Sequence, residues 1–220
     1  MLKKSNIPKH ILNILKDKKS MRNILLYNGD MELKNLFEII NTKVKAEDNI
    51  GIHSFDLLFS RCNKCPDIIR KKSPFGSGNN KVMIILNMPR MINREEITKF
   101  KSESDELLRK MLAAIDLELN ECYTTAMIKC ESDNILNKPS DMLKNCLHIL
   151  ETEIDSVKPN LGVVMGDILP LQKIVNSKKS ITWFNIEHPV SIIKHPELKR
   201  SAWTTLQLVK KRFLELKDGV

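Results

Sequence analysis

The stretch Lys81-Val82-Met83-Ile84-Ile85-Leu86-Asn87-Met88-Pro89 decides how the rest of this 220-residue chain is read. Its uninterrupted apolar run predicts a buried strand, and Pro89 ends it. Before it lies a loop of turn formers, Ser73-Pro74-Phe75-Gly76-Ser77-Gly78-Asn79-Asn80. After it, strand and helix patterns alternate. A helical stripe over about 103–115 (Leu107, Leu108, Met111, Leu112, Ile115) precedes a strand from Cys122 to Ile128. A helix near 140–155, capped by Ser140 after Pro139, leads to the strand Leu161–Met165. A helix from Ile168, a short strand Ile181–Phe184 and a closing helix over about 197–216 complete the pattern. Strands separated by helices predict an α/β fold, its sheet mainly parallel with helices on both faces. Ligands of such sheets sit beyond the carboxyl ends of the strands. Three connections therefore matter most: Asn87–Phe100, Lys129–Pro139 and His188–Lys199.

The first part of the chain reads differently. Ile7, Ile11, Leu12, Ile14 and Leu15 form one helical stripe, and Leu33, Leu36, Phe37, Ile39 and Ile40 a second. Asn28-Gly29-Asp30 between them signals a turn. Nothing here looks catalytic, so residues 1–57 are read as a helical extension for packing or partner binding, and 58–220 as the main domain. No long uncharged apolar run is present, so no transmembrane helix is expected. The basic start lacks the apolar core and cleavage site of a signal peptide. With reduced cysteines, this points to the cytoplasm, or the nucleoid in a bacterium. The net charge of +9 and pI near 9.3 suit a protein that binds a polyanion.

Four of the five cysteines, Cys62, Cys65, Cys130 and Cys146, have a spacing that reads as a metal site. A CxxC lets two thiolates reach one centre with little strain, but the second pair is widely spaced, so three segments must converge. Four thiolates suit tetrahedral zinc or a cubane iron–sulfur cluster. Cys122 sits in an apolar strand and reads as a core thiol. After the last strand comes His188-Pro189-Val190-Ser191-Ile192-Ile193-Lys194-His195-Pro196. A histidine there can donate to a developing anion or shuttle a proton. The apolar pair beside Lys194, Lys199 and Arg200 suits a nucleic-acid groove, with the cations on phosphates.

From about Leu58 to Leu216 the chain resembles the family 4 uracil-DNA glycosylases, the iron–sulfur branch of their superfamily. The resemblance rests on Cys62-x-x-Cys65, Pro74-Phe75-Gly76-x-Gly78, Lys81-Val82-Met83, Phe100 and Leu107-Leu108-x-Lys110-Met111-Leu112. It continues through Tyr123-x-Thr125-x-x-x-Lys129-Cys130, Cys146, Gly166 and His188-Pro189. It implies a three-layer α/β/α fold with a short parallel sheet, DNA as partner and a flipped base as substrate. It also implies a [4Fe-4S] cluster on the four cysteines, in preference to zinc. Phe100 would stack on the base, Ser191, Ile192, Lys194, Lys199 and Arg200 would meet DNA, and His188 would stabilise the leaving base.

The departures are equally specific. The family glutamate that positions the attacking water is replaced by Asn87, which can hold a water but cannot take its proton. Met88 and Arg90 replace small residues, and the family asparagine that reads the uracil edge falls at Ala126. Losing that amide leaves the base edge unpaired. The resulting expectation is a cluster-bearing, DNA-binding member of the superfamily in repair or replication, with uracil excision weak or lost. One alternative is an active glycosylase of altered base choice, with Asn87 holding water and His188 acting on the base. Another is a non-catalytic scaffold that binds a replication or repair partner through residues 1–57.

Overall fold

The structure is a computed structural model, and it describes residues 59–89, 94–132, 134 and 136–218. The helical extension expected over 1–57, with its expected partner-binding role, lies outside the described residues. In chain order the strands are β1 (Arg70–Lys71), β2 (Val82–Leu86), β3 (Tyr123–Ala126), β4 (Cys130–Glu131), β5 (Leu161–Met165) and β6 (Thr182–Ile186). The helices are α1 (Arg94–Ala113), α2 (Pro139–Val157), α3 (Gln172–Ser177), α4 (Pro189–Lys194) and α5 (Lys199–Asp218).

Four strands form one sheet in the order β3-β2-β5-β6, and every neighbouring pair is parallel. The expected buried strand is its centre: Val82, Met83, Ile84 and Ile85 are almost wholly shielded from solvent. Because side chains alternate across a strand, they feed two separate cores. Val82 and Ile84 pack with Leu108, Leu112 and Ile115 near α1, and with Leu206 and Val209 of α5. Met83 and Ile85 pack with Leu150 and Ile154 of α2 and Ile174 of α3. Helices thus cover both faces, giving the three-layer α/β/α arrangement. Fully burying each such aliphatic side chain contributes about 1.5–3 kcal/mol. A second, two-stranded antiparallel sheet pairs β1 with β4, aligning Lys71 with Cys130.

Several boundaries differ from the sequence reading, each for a local reason. Helix α1 begins at Arg94, not near 103, because the polar run holds no breaker and Glu95 and Glu96 complement the positive helix start. Phe100 therefore lies on a helix rather than in a loop. Ser140 is not the cap of α2. Pro139 opens that helix, with Lys138 before it and no capping side chain, since proline lacks the N–H that would need one. Strand β6 runs on to Ile186, bringing Asn185 into the ladder. His188-Pro189 opens the short helix α4 instead of a surface turn, again with proline in the first position. No helix among the described residues is long and apolar enough to cross a membrane.

Candidate functional site

The carboxyl ends of β2, β5 and β6 are stitched together by backbone hydrogen bonds. The Asn87 N–H donates to Met165 O at 2.9 Å, and the Gly166 N–H donates to Ile186 O at 2.8 Å. Gly166 has φ +111°, and a Cβ there would overlap the Asn87 carbonyl oxygen, so only glycine suits the position. Where the strands stop, a cleft of about 350 Å³ opens, lined by Asn87, Met88, Gly166, Asp167, His188 and Ser191, with Glu187 at its edge. This is where a parallel sheet is expected to hold a ligand. Three of the predicted site residues, Asn87, His188 and Ser191, line it.

His188 is 2% exposed. Its Nδ1 accepts the Val190 N–H at 3.2 Å, capping α4. Burial, with a smaller contribution from the nearby Lys72 ammonium, lowers its pKa from the ordinary 6.5 to about 4. The imidazole is therefore neutral at physiological pH. Because Nδ1 is the acceptor, the proton resides on Nε2. That buried Nε2 has no hydrogen-bond partner among the described residues. Asn87 is equally well defined: its Nδ2 donates to Asp167 O at 2.9 Å. Of the two amide atoms only the nitrogen can donate to a carbonyl, so Oδ1 is the end left to accept a hydrogen bond.

The other predicted residues fare differently. Ala126 ends β3 opposite Leu86, and neither it nor Phe100 lines the cleft. Phe100 is half-buried with the Lys99 and Lys194 ammonium groups each 5.5 Å from its ring centroid. Lys194 also pairs with Glu96 of α1, so it is already engaged within the protein. Ile192 is corrected outright. Expected to meet DNA, it is 2% exposed and belongs to the core between α1 and α5. The helical turn of α4 rotates it inward, where a loop would have left it free. Lys199 and Arg200 are exposed at the start of α5.

The cysteines gather at one end of the domain. Lys71 Nζ donates to the carbonyls of Phe59, Ser60 and Cys62 at 2.8–2.9 Å, which fixes the loop carrying Cys62. Asn145 Nδ2 on α2 lies 3.6 Å from Cys65 Sγ, and the Lys129 N–H donates to Cys146 Sγ at 3.4 Å. Burial raises the Cys130 thiol, and Cys146, Cys65 and Cys62 raise it further by their proximity. Burial likewise raises Cys146, opposed by the Lys129 N–H and reinforced by Cys65 and Cys62. The four thiols thus lie near enough to influence one another. No group of three or more His, Cys, Asp or Glu among the described residues is arranged to hold a metal ion. Cys122 is a core thiol, 0% exposed, with Asn80 Nδ2 3.3 Å from its sulfur.

Beside the cysteines lies a polar network that the sequence reading missed. Lys129, 1% exposed, pairs with Glu153 and donates to Thr125 Oγ1. Tyr123 OH and Thr125 Oγ1 both donate to Glu153 Oε1, at 3.0 and 2.9 Å. Burial pulls the Lys129 ammonium below the ordinary lysine range, and the Glu153 carboxylate opposes it. Tyr123, Thr125 and Lys129 were legible as a motif; their partner Glu153 was not. Lys72 was missed as well. Burial lowers its pKa, and its charge reaches both His188 and the cysteines.

A short parallel sheet lies between helical layers, and a buried histidine and an asparagine both line the cleft at its carboxyl edge. The family model described as the uracil DNA glycosylase superfamily matches residues 73–208, and the chain belongs to that superfamily. Among curated proteins it is similar to the type-4 uracil-DNA glycosylase of Archaeoglobus fulgidus, 24% identical over 163 residues. That match covers 63% of this chain and 81% of the relative. It is also similar to the type-4 uracil-DNA glycosylase of Pyrobaculum aerophilum, 27% identical over 112 residues, covering 50% of this chain and 57% of the relative. The family-model match includes Cys130, Cys146 and His188 but begins after Cys62 and Cys65.

Proposed function

We propose that this protein binds DNA and hydrolyses the N-glycosidic bond of a flipped base, with uracil itself excised only weakly. The observation that carries this is His188: a neutral imidazole in a residue that lines the cleft, its buried Nε2–H without a partner among the described residues. A donor held ready where charge develops is worth about 2.7–4 kcal/mol of transition-state stabilisation. It fits a base that departs with negative charge on a carbonyl oxygen, as a deaminated base does. Asn87 Oδ1 holds the water, Ser191, Lys199 and Arg200 face the phosphates, and the resemblance sets Phe100 and Ala126 beside the base although neither lines the cleft.

Weak uracil excision follows from Ala126. It has no polar group for the uracil edge, and an unread edge costs selectivity. Changing Ala126→Asn is expected to raise uracil excision at least about tenfold, the value of roughly one hydrogen bond. No gain on any DNA substrate would contradict this reading of the pocket.

Cys62, Cys65, Cys130 and Cys146 are the residues that would hold a four-thiolate centre, [4Fe-4S] in preference to zinc. The donor set fits in kind: four thiols on three segments already tied together by Lys71, Asn145 and the Lys129 N–H. When bound, the centre supplies a cross-link among those segments. No step of the hydrolysis is assigned to it. Iron and sulfide analysis after anaerobic purification tests it, and stoichiometric zinc in place of iron would reverse the preference.

A further inference from the structure

The cleft replaces the expected water-positioning glutamate with an asparagine, which cannot accept a proton, yet it is not without a carboxylate. We infer that Asp167 is the general base of this protein, taking a proton from a water held by Asn87. This rests on the proposed glycosylase reading of the cleft.

Asp167 follows Gly166 at the end of β5, and its position is fixed from two sides. Asn87 Nδ2 donates to Asp167 O at 2.9 Å from the β2 end. Asn185 Nδ2 donates to Gly166 O at 2.6 Å and to Val164 O at 3.0 Å from the β6 side. The side chain is anchored too: Asp167 Oδ1 accepts the Leu169 N–H at 2.9 Å, leaving Oδ2 available. Asp167 therefore stands next to the residue expected to hold the water, in the cleft that also receives the unpartnered, 2%-exposed His188. That buried donor is an independent sign that an acceptor-bearing ligand belongs in the cleft. The only other carboxylate lining the cleft is Glu187, which has no hydrogen bond or ion pair among the described residues to fix its carboxylate.

The proposed step balances as an ordinary hydrolysis. The water oxygen forms a bond to the sugar C1′ while its proton passes to the Asp167 carboxylate. The C1′–N bond breaks and its electron pair goes to the base. His188 Nε2–H donates to the base oxygen on which the charge settles, and the released base takes its proton from solvent. Asn87 supplies position and Asp167 supplies basicity, a division of two roles that one glutamate can combine.

The test uses the full-length protein, purified anaerobically, with single-stranded oligonucleotides carrying one uracil, hypoxanthine or xanthine. Abasic-site formation is read by alkaline cleavage, and DNA affinity by fluorescence anisotropy. Asp167→Asn keeps an oxygen for the Leu169 N–H, so the turn should fold, and a thermal melt checks it. We expect excision by Asp167→Asn to fall at least about 100-fold, with DNA affinity unchanged. If the folded variant excises at the wild-type rate while His188→Ala does not, Asp167 is not the base and the glycosylase reading stands. A loss confined to Glu187→Gln would likewise overturn the assignment. Wild-type protein that binds these oligonucleotides and excises none of the three bases would overturn both.

Discussion

Two groups of buried polar side chains in this domain are built on opposite rules. Around Glu153 the Lys129 ammonium, the Thr125 hydroxyl and the Tyr123 hydroxyl all find partners within the protein. At the cleft, His188 is as deeply buried but keeps Nε2 without one. Leaving a buried donor unpaired is unfavourable by about 1–3 kcal/mol. Thr124 Oγ1 and Trp183 Nε1 are also unpaired among the described residues, but of the three only His188 lines the cleft where a ligand could complete it. The closed network holds β3 to α2 and thereby steadies Cys130 and Cys146. The open donor is chemistry in waiting.

That contrast predicts which variants damage stability and which damage activity. The largest effect on stability should come from Lys129→Met, which leaves Glu153 buried and uncompensated. Chemical denaturation should show a loss of about 3–5 kcal/mol, much of it recovered in the Lys129→Met/Glu153→Leu double variant. If the single variant were as stable as the parent, the network would not be the structural element described here. His188→Ala should do the reverse. Excision should fall by about 10²–10³-fold, with a much smaller change in denaturation midpoint.

Acid should separate the two clusters further. The folded pKa of His188 is near 4, below its ordinary 6.5, so between those values the unfolded chain binds the proton and the folded one does not. The contribution of this site to stability is therefore complete above pH 6.5 and declines as the pH falls towards 4. A shift of that size corresponds to about 3 kcal/mol. Comparing denaturation of the parent and His188→Ala between pH 7 and 4 checks the sign: only the parent should lose this increment. Smallest of all should be Arg70→Ala. Its pair with Glu131 lies 2.6 Å apart but at the surface, worth at most about 1 kcal/mol.

The sheet was legible in the sequence because its strands are short apolar runs; Val82–Ile85 and Leu161–Met165 sit where their composition placed them. The carboxyl-edge location of Asn87 and His188 followed from the alternation of strands and helices. Three things were hidden, for physical reasons. The first turns of α1 carry only Ile97 and Phe100 among polar and charged residues, too short a stripe for periodicity to single out. The rotation of α4 that buries Ile192 depends on packing against α1, which no local pattern of six residues reveals. Finally, Glu153 meets Lys129 across 24 positions of sequence. On a helix that already showed an apolar face, a glutamate reads as a solvated charge.

Whether the cleft at His188 still breaks a glycosidic bond is read from abasic-site formation by the anaerobically purified protein on single-stranded DNA containing uracil, hypoxanthine or xanthine, with His188→Ala alongside. We expect excision of at least one base, weakest for uracil and dependent on His188. DNA that is bound but never cleaved at any of the three bases would contradict it, and would make the open donor at the cleft a remnant in a binding module.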